Sequence, residues 1–396
     1  MFVSSRRYDF VRGRQLEGTY PGDPNEGTWP ITHYRTRFGW GQVSENEWPY
    51  FRNNDFLDPE PPGLDQSAKR RRAHHYQRIR NSSEARTILE RNSKILSMLS
   101  RGRSPTQVGY PLEAKVAFEI IPQFLHAHQG LINTPSPNST VIGAHAVPLI
   151  DYSRTQNWFE FVNSWGPRWG DHGHGYMPLE FFDEWMIDSW CVDESPLRLP
   201  QTAGIHELRW DAPDPLGDRL YGLEIYDGNV DERIGWSFAV HRGEHLDVEE
   251  FYVKPAYRRQ GYGTRLTGAV IKLSQEMDLP LRAWIPFADC EAANRPAVAS
   301  IMLKLGLNLR RSGVRWAAYR AAPSKRRNIV FDPIDVPPRP AYATSGSAIA
   351  VPENGFIRQA SEITSYEGAL TEEAMVEIAN DLFCALDAEE EMDGQI

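Results

Sequence analysis

The sequence predicts a mixed α+β protein with more than one folded domain, followed by an extended tail. Three observations carry this. A chain of 396 residues with 41% hydrophobic content exceeds the ~250–300 residues at which a single core stops growing. β-Branched and aromatic runs recur at 116–124, 141–152, 158–162, 221–225, 234–240 and 248–253, the texture of strands. After Tyr319 the composition turns to Lys325-Arg326-Arg327, then Pro333, Pro337, Pro338 and Pro340 and a small-residue stretch from Ala343 to Ala350, which reads as an extended linker.

The first sixty residues carry turn signals at Pro21-Gly22-Asp23-Pro24-Asn25 and Pro59-Glu60-Pro61-Pro62-Gly63, so ordered loops and a helix-poor start are expected. Lys69 to Arg72, with His74, His75, Arg78 and Arg80, read as a solvated basic strip without a function. Residues 83–100 place Ile88, Leu89, Ile95, Leu96 and Leu99 on one helix face behind a Ser-Ser-Glu-Ala start. In 371–391, Met375, Ile378, Leu382, Ala385 and Leu386 align on one side of an acidic amphipathic helix, which offers a protein partner a surface or docks on the chain's own core.

The formal net charge of -10 and pI of 5.6 give a polyphosphate no general attraction, so nucleic acid is not an expected partner. Cys191, Cys290 and Cys384 are the only cysteines. They are too few and too scattered for a disulfide scaffold or a metal box, and no metal is expected. The start of the chain lacks an apolar signal region and no later run approaches the ~18 apolar residues of a membrane span. A cytoplasmic protein without a membrane partner is expected.

The segment Gly143-Ala-His145-Ala-Val147, then Tyr152 and Trp158-Phe-Glu-Phe-Val-Asn163-Ser-Trp165-Gly166-Pro-Arg-Trp169-Gly170, closing on Gly173-His-Gly175-Tyr176, resembles the C-terminal half of papain-family cysteine peptidases. Phe38-Gly-Trp-Gly-Gln-Val-Ser-Glu45-Asn-Glu47-Trp48-Pro49-Tyr50 is similar to that family's Gly-x-x-x-Glu-x-x-Tyr-Pro-Tyr loop, so the resemblance covers about 15–190. It implies that His145 corresponds to the general base for a thiol and Asn163 to the residue orienting its ring. The family's reactive Cys lies ~130–150 residues before the His. Counting back from His145 reaches the first residues or falls before Met1, and no cysteine precedes Cys191. Proteolysis by this chain alone is therefore not expected. Three readings stay open: a pseudopeptidase that still grips peptide-like ligands, a remnant kept for packing, or a half-site whose Cys helix comes from another chain or an upstream start.

In His245-Leu-Asp247-Val-Glu249-Glu250-Phe-Tyr252-Val253-Lys-Pro255-Ala-Tyr257-Arg258-Arg259-Gln260-Gly261-Tyr262-Gly263-Thr264, a strand passes through a loop into a helix reaching about Met277. Unpaired amides at the positive end of a helix suit a pyrophosphate. With the downstream Asn294-Arg-Pro-Ala297-Val-Ala-Ser-Ile301-Met302-Leu303-Lys304-Leu305-Gly306-Leu307, the run resembles the GNAT N-acetyltransferases over about 205–322. That implies acetyl-CoA as cofactor, held by Tyr252, Val253, Arg258, Arg259, Gln260, Gly261, Tyr262, Gly263 and Thr264, with Asn294 near the pantetheine. The cofactor would lie between the strand ending at Val253 and a strand over 281–287, with Val253 backbone groups pairing the pantetheine.

Acyl transfer to an amine needs a base, for which Asp247, Glu249 and Glu250 are candidates. Simple alternation puts Asp247 and Glu249 on one strand face and Glu250 on the other. Met302 stands where many family members have a Tyr acid, leaving Tyr252, Tyr262 or Tyr319 as substitutes, or a thiolate that leaves unaided. Only Asp211 to Arg219 separates the first two strands, so the usual helices walling the acceptor groove do not fit, and the papain-like region is expected to shape acceptor recognition.

The fold class expected is thus α+β: an incomplete papain-like domain over 1–195, a GNAT-type domain with a mostly antiparallel sheet over 196–323, and a linker with the C-terminal helix over 324–396. The function expected is acetyl transfer to an amine of a protein, peptide or small molecule. The rival is a non-catalytic interaction protein built from two degenerate folds.

Overall fold

The computed structural model describes residues 3–21, 27–50, 57–135, 139–195, 199–213, 218–284, 308–312 and 315–320. The chain divides into two compact units. One comprises Met1–His206, Pro213–Asp218 and Tyr226–Arg233, the other Glu207–Ala212, Arg219–Ile225 and Ile234–Ile396. Among the described residues no helix is long and apolar enough to cross a membrane.

The first unit contains α1 (Arg6–Glu17), α2 (Pro30–Gly39), α3 (Leu64–Ala68), β1 (His75–Arg78), α4 (Ser82–Ser100), α5 (Pro105–Val108), β2 (Glu113–Ile120), β3 (Gly143–Ser153), β4 (Trp158–Val162), β5 (His174–Pro178), α6 (Leu179–Trp185) and β6 (Met186–Asp193). The sheet runs β1-β6-β2-β3-β4-β5, and its neighbouring pairs are antiparallel. Its core is aromatic, with Phe118, Phe124, Phe159, Phe161, Phe181 and Trp185 in one buried cluster.

The helix-poor start expected from the sequence is overturned by α1 and α2. Ser5 caps α1 by accepting from Tyr8 N, and Gly18 closes it at φ 72°, the left-handed conformation that glycine adopts without a Cβ penalty. Pro30 opens α2, where a missing N–H costs nothing. Its buried Ile31, Tyr34 and Phe38 recur at helical spacing, a signal masked by the surrounding glycines and prolines. Nearby, β2 stops at Ile120 rather than Phe124, because Pro122 supplies no ladder donor and opens a 3₁₀ turn. The helix over 83–100 is present as α4, capped by Asn81 accepting from Glu84 N. The basic strip is not solvated throughout: Arg72 and His75 are buried, and Arg72 Nη1 donates to Asp231 Oδ1 at 2.9 Å.

The buried Asp9 of α1 and Arg37 of α2 meet charged groups of β2 and of the segment after β6. Arg37 Nη1 donates to Glu113 at 2.6 Å and Glu194 at 2.8 Å, and Lys115 Nζ lies 2.8 Å from His33 Nε2. Burial pushes Glu113 up, but Arg37 and Lys115 outweigh it and hold the carboxyl at about 2. For Asp9 the balance reverses. Its Oδ1 has no hydrogen-bond partner among the described residues, and burial pushes it up to about 6 against the pull of Arg37 and Lys115.

The second sheet is built from β7 (Ile205–Pro213), β8 (Arg219–Asp227), β9 (Glu232–Arg242), β10 (His245–Val253), β11 (Leu281–Trp284), β12 (Asn308–Ser312) and β13 (Arg315–Arg320), in the order β12-β13-β11-β10-β9-β8-β7. β10 and β11 are parallel, joined through α7 (Tyr262–Glu276), as a crossover requires. The β9–β10, β11–β13 and β12–β13 pairs are antiparallel. The buried Leu266, Val270, Ile271 and Leu273 of α7 form its sheet-facing stripe, with Leu266 clustering against Ile225, Ile234, Phe251 and Val253. The second motif with Asn294 and Met302, the linker and the acidic C-terminal helix lie outside the described residues.

Candidate functional site

The residues expected to hold a diphosphate lie between β10 and α7. Gly261 is the N-cap of α7, at φ 83°, with no side chain capping the helix and no acidic residue in its first turn. Among the described residues no side chain takes the opening amides of this four-turn helix, a terminus whose positive end suits an anion. Among the described residues a Cβ at Gly261 would meet nothing within 4 Å, so glycine is needed there for its backbone angle. Arg259 is left-handed too, at φ 64°. Together these fit an anion such as the diphosphate of an acyl-CoA.

Arg258 turns back toward the strand. Its Nε donates to Val253 O at 2.9 Å, and its guanidinium lies over the Tyr252 ring at 5.5 Å. The Val253 carbonyl expected to pair a pantetheine is therefore engaged by Arg258 in this structure. Gln260 Nε2 donates to Ala256 O at 3.0 Å, and the Tyr257 and Tyr262 rings meet edge to face.

The three candidate carboxylates are arranged differently from simple alternation. β10 pairs Asp247 with Val240 and Val248 with Ala239, then Glu250 with Phe238, skipping Glu249. This is a β-bulge. Directly opposed residues share a face, so Asp247, Glu250 and Tyr252 lie with Val240, Phe238 and Trp236, and the expected grouping of Asp247 with Glu249 is corrected. Both Asp247 oxygens receive N–H groups of Arg282, Nε at 2.7 Å and Nη2, which β11 holds directly across from it. Glu249 accepts from Arg242 Nη2 at 3.0 Å. Glu250 is buried beside the bulge and its carbonyl accepts from Ser237 Oγ. Tyr252 is buried with its ring 4.9 Å from Trp236. Arg282 and Arg242 were invisible as partners in the sequence, since pairing across a sheet depends on register.

In the first unit, β3 and the end of β4 bring His145 and Asn163 together. His145 Nε2 lies 2.9 Å from Asn163 Oδ1, and the Trp165 ring covers the imidazole at 4.8 Å. Asn163 is buried and held by its own N–H to Gly173 O at 2.8 Å. Burial lowers the His145 pKa, and the bond to Asn163 raises it in part, so the ring is kept neutral at pH 7. Trp169 Nε1 donates to Phe124 O at 3.0 Å, fixing the loop. A Cβ on Gly170, at φ 61°, would lie 2.4 Å from His174 O, which explains the second Trp-Gly pair. Among the described residues, Cys191 is buried in the core of this unit, on β6, paired with Gln77 and Ala114.

Comparison with known proteins matches the acetyltransferase (GNAT) family to residues 179–306. A curated relative, an uncharacterized peptidase C1-like protein of Acanthamoeba polyphaga mimivirus, is 28% identical over 195 residues, 49% of this chain and 60% of the relative's own length. Among solved structures, xylellain, a cysteine protease from Xylella fastidiosa, is 20% identical with a TM-score of 0.38, covering 49% of this chain and 71% of that one. The ribosomal-protein-S18-alanine N-acetyltransferase from Escherichia coli is 16% identical with a TM-score of 0.21, covering 28% of this chain and 74% of that one. The chain therefore carries a GNAT-family acetyltransferase domain together with a region similar to papain-like cysteine peptidases.

Proposed function

We infer that the second unit transfers an acetyl group from acetyl-CoA to an amine. The observation that carries this is the start of α7 behind the bulged β10, with Gly261 left-handed, no side-chain cap among the described residues and no described atom within 4 Å of an added Cβ. Residues Arg258 to Thr264 would hold the diphosphate. Bound acetyl-CoA supplies the activated thioester. A neutral amine forms the C–N bond as the C–S bond breaks, its proton passing to a base and the thiolate taking one from an acid.

Glu250 is our choice of base and Tyr252 of acid, because strand alternation puts them on one face two residues apart. Asp247 is a weaker candidate because both its oxygens are committed to Arg282. Calorimetry with acetyl-CoA, then thiol release over peptide and amine panels, tests the assignment. Glu250→Gln should retain coenzyme affinity and lose turnover by ~10²–10⁴-fold. Absence of acetyl-CoA binding by the full chain would reject the reading. The acceptor we favour is a peptide or protein amine, since the His145–Asn163 pair beneath Trp165 is similar to the arrangement of papain-like peptidases, which act on peptides. Trp165→Ala should then lower kcat/KM for peptides and leave small amines untouched.

A second reading rests on the assembled His145–Asn163 pair. His145 Nε2 is taken by Asn163, so Nδ1 is the nitrogen that a thiol brought by another chain or an upstream segment would use. A mechanism-based epoxide that labels this assembly only when His145 is intact would support a split peptidase. No labelling in a native extract would remove it.

A further inference from the structure

Three side chains of the first unit belong to neither site described above. The geometry points to a binding site for a divalent transition-metal ion such as zinc, formed by His74, His75 and Asp193 where β1 begins and β6 ends. This differs from the absence of a metal, and from the solvated basic strip, that the sequence alone leads one to expect around these histidines.

The backbone fixes all three residues. His75 and Asp193 are directly opposed across the β1–β6 pair, and His74 N donates to Asp193 O at 2.8 Å. Neighbouring side chains within a strand point to opposite faces. His74, however, sits in the bend before β1, so its ring swings round to meet that of His75. The two Nδ1 atoms lie 3.2 Å apart, with the rings inclined at 71°. Zinc holds imidazole nitrogens at ~2.0–2.1 Å in a tetrahedron, whose edge is then ~3.3–3.4 Å. The observed separation needs only a slight opening to admit the ion.

One ligand atom from each of the three residues lies within 4.8 Å of the others. Asp193 Oδ1 accepts from Ser195 N at 2.7 Å, which orients the carboxylate and leaves Oδ2 for the ion, the kind of outer support that metal ligands have. Two imidazoles and a carboxylate suit zinc, with water in the fourth position. The carboxylate charge also offsets part of the cost of bringing a cation beside buried His75. The ion would clamp the sheet at the last strand of the first unit.

The rival account of the 3.2 Å contact is a hydrogen bond between two neutral rings, and the experiment separates the two. Tag-free full-length chain is stripped with EDTA and titrated with zinc against a chromophoric chelator, and with cobalt for the visible bands of a four-coordinate ion. One equivalent should bind and raise Tm. His74→Ala, at a partly exposed position, should weaken zinc binding by at least ~10-fold and abolish the Tm gain. Asp193→Asn, with its fold checked by circular dichroism, should weaken binding too. Failure to bind one equivalent, or binding unchanged in His74→Ala, would overturn the proposal and leave the hydrogen bond as the whole account.

Discussion

Nε2 of His145 stands 2.9 Å from Oδ1 of Asn163, so the imidazole is aimed although the described residues bring no thiol to it. Because burial lowers the His145 pKa and the Asn163 bond raises it, Asn163→Ala should move the His145 titration further down, as followed by NMR of the ring protons. A depressed folded-state pKa contributes stability that is present above the unfolded value, ordinarily near ~6.5, and is lost as pH falls through the folded one. The variant should lose about 1 kcal/mol at pH 7, while a packing role alone would leave the titration unmoved.

Asp9 supplies the opposite sign. Its carboxyl is raised from 3.8 to about 6 by burial, so its stability contribution is intact below 3.8 and is lost as pH rises through 6. Asp9→Asn escapes this loss. Chemical denaturation should find the variant matched to the parent near pH 4 and more stable by about 2–3 kcal/mol at pH 7. Equal stability at both pH values would contradict the burial account.

Two glycines of the first sheet should respond differently to one added methyl. At Gly175 a Cβ would lie 2.2 Å from the Phe161 ring, whereas at Gly143 the nearest atom would be Ile120 Cγ1 at 3.8 Å. Gly175→Ala should cost about 1–3 kcal/mol and lower Tm measurably. Gly143→Ala should leave Tm close to the parent.

Gly261 tests conformation apart from space. With φ at 83° and no atom within 4 Å of an added Cβ, Gly261→Val should strain the loop by about 1–2 kcal/mol and weaken acetyl-CoA binding by roughly tenfold. Gly261→Asn, which tolerates the left-handed region, should bind nearly as the parent does. Calorimetry on both variants distinguishes backbone strain from a blocked approach.

Much of this was legible in the chain itself. The strands around His145 and Val253, the amphipathic α4 and the glycine-led start of α7 follow from local pattern, because alternation, helical spacing and cap chemistry act over a few residues. What escaped was set by longer-range geometry. α1 and α2 are the local exception, their cap signals Ser5, Gly18 and Pro30 being masked by a density of turn-forming residues. The pairing of Asp247 with Arg282 depends on the register of β10 against β11, and that of Arg37 with Glu113 and Glu194 on partners 76 and 157 residues away. The meeting of His74 with His75 depends on a bend that no periodicity announces.

The extra residue in β10 has a bearing on how this strand tolerates change in length. Excising Glu249 would leave Val248 opposite Ala239 and Glu250 opposite Phe238 as consecutive pairs, so the strand would regain strict two-residue periodicity with its distal side chains on their present faces. Glu250 and Tyr252 would stay on the face of Asp247, and Phe251 and Val253 would stay with Leu266 of α7. A shortening by one residue would thus be tolerated better at the bulge than elsewhere in the strand, because there the register of β10 against β9 already skips a residue.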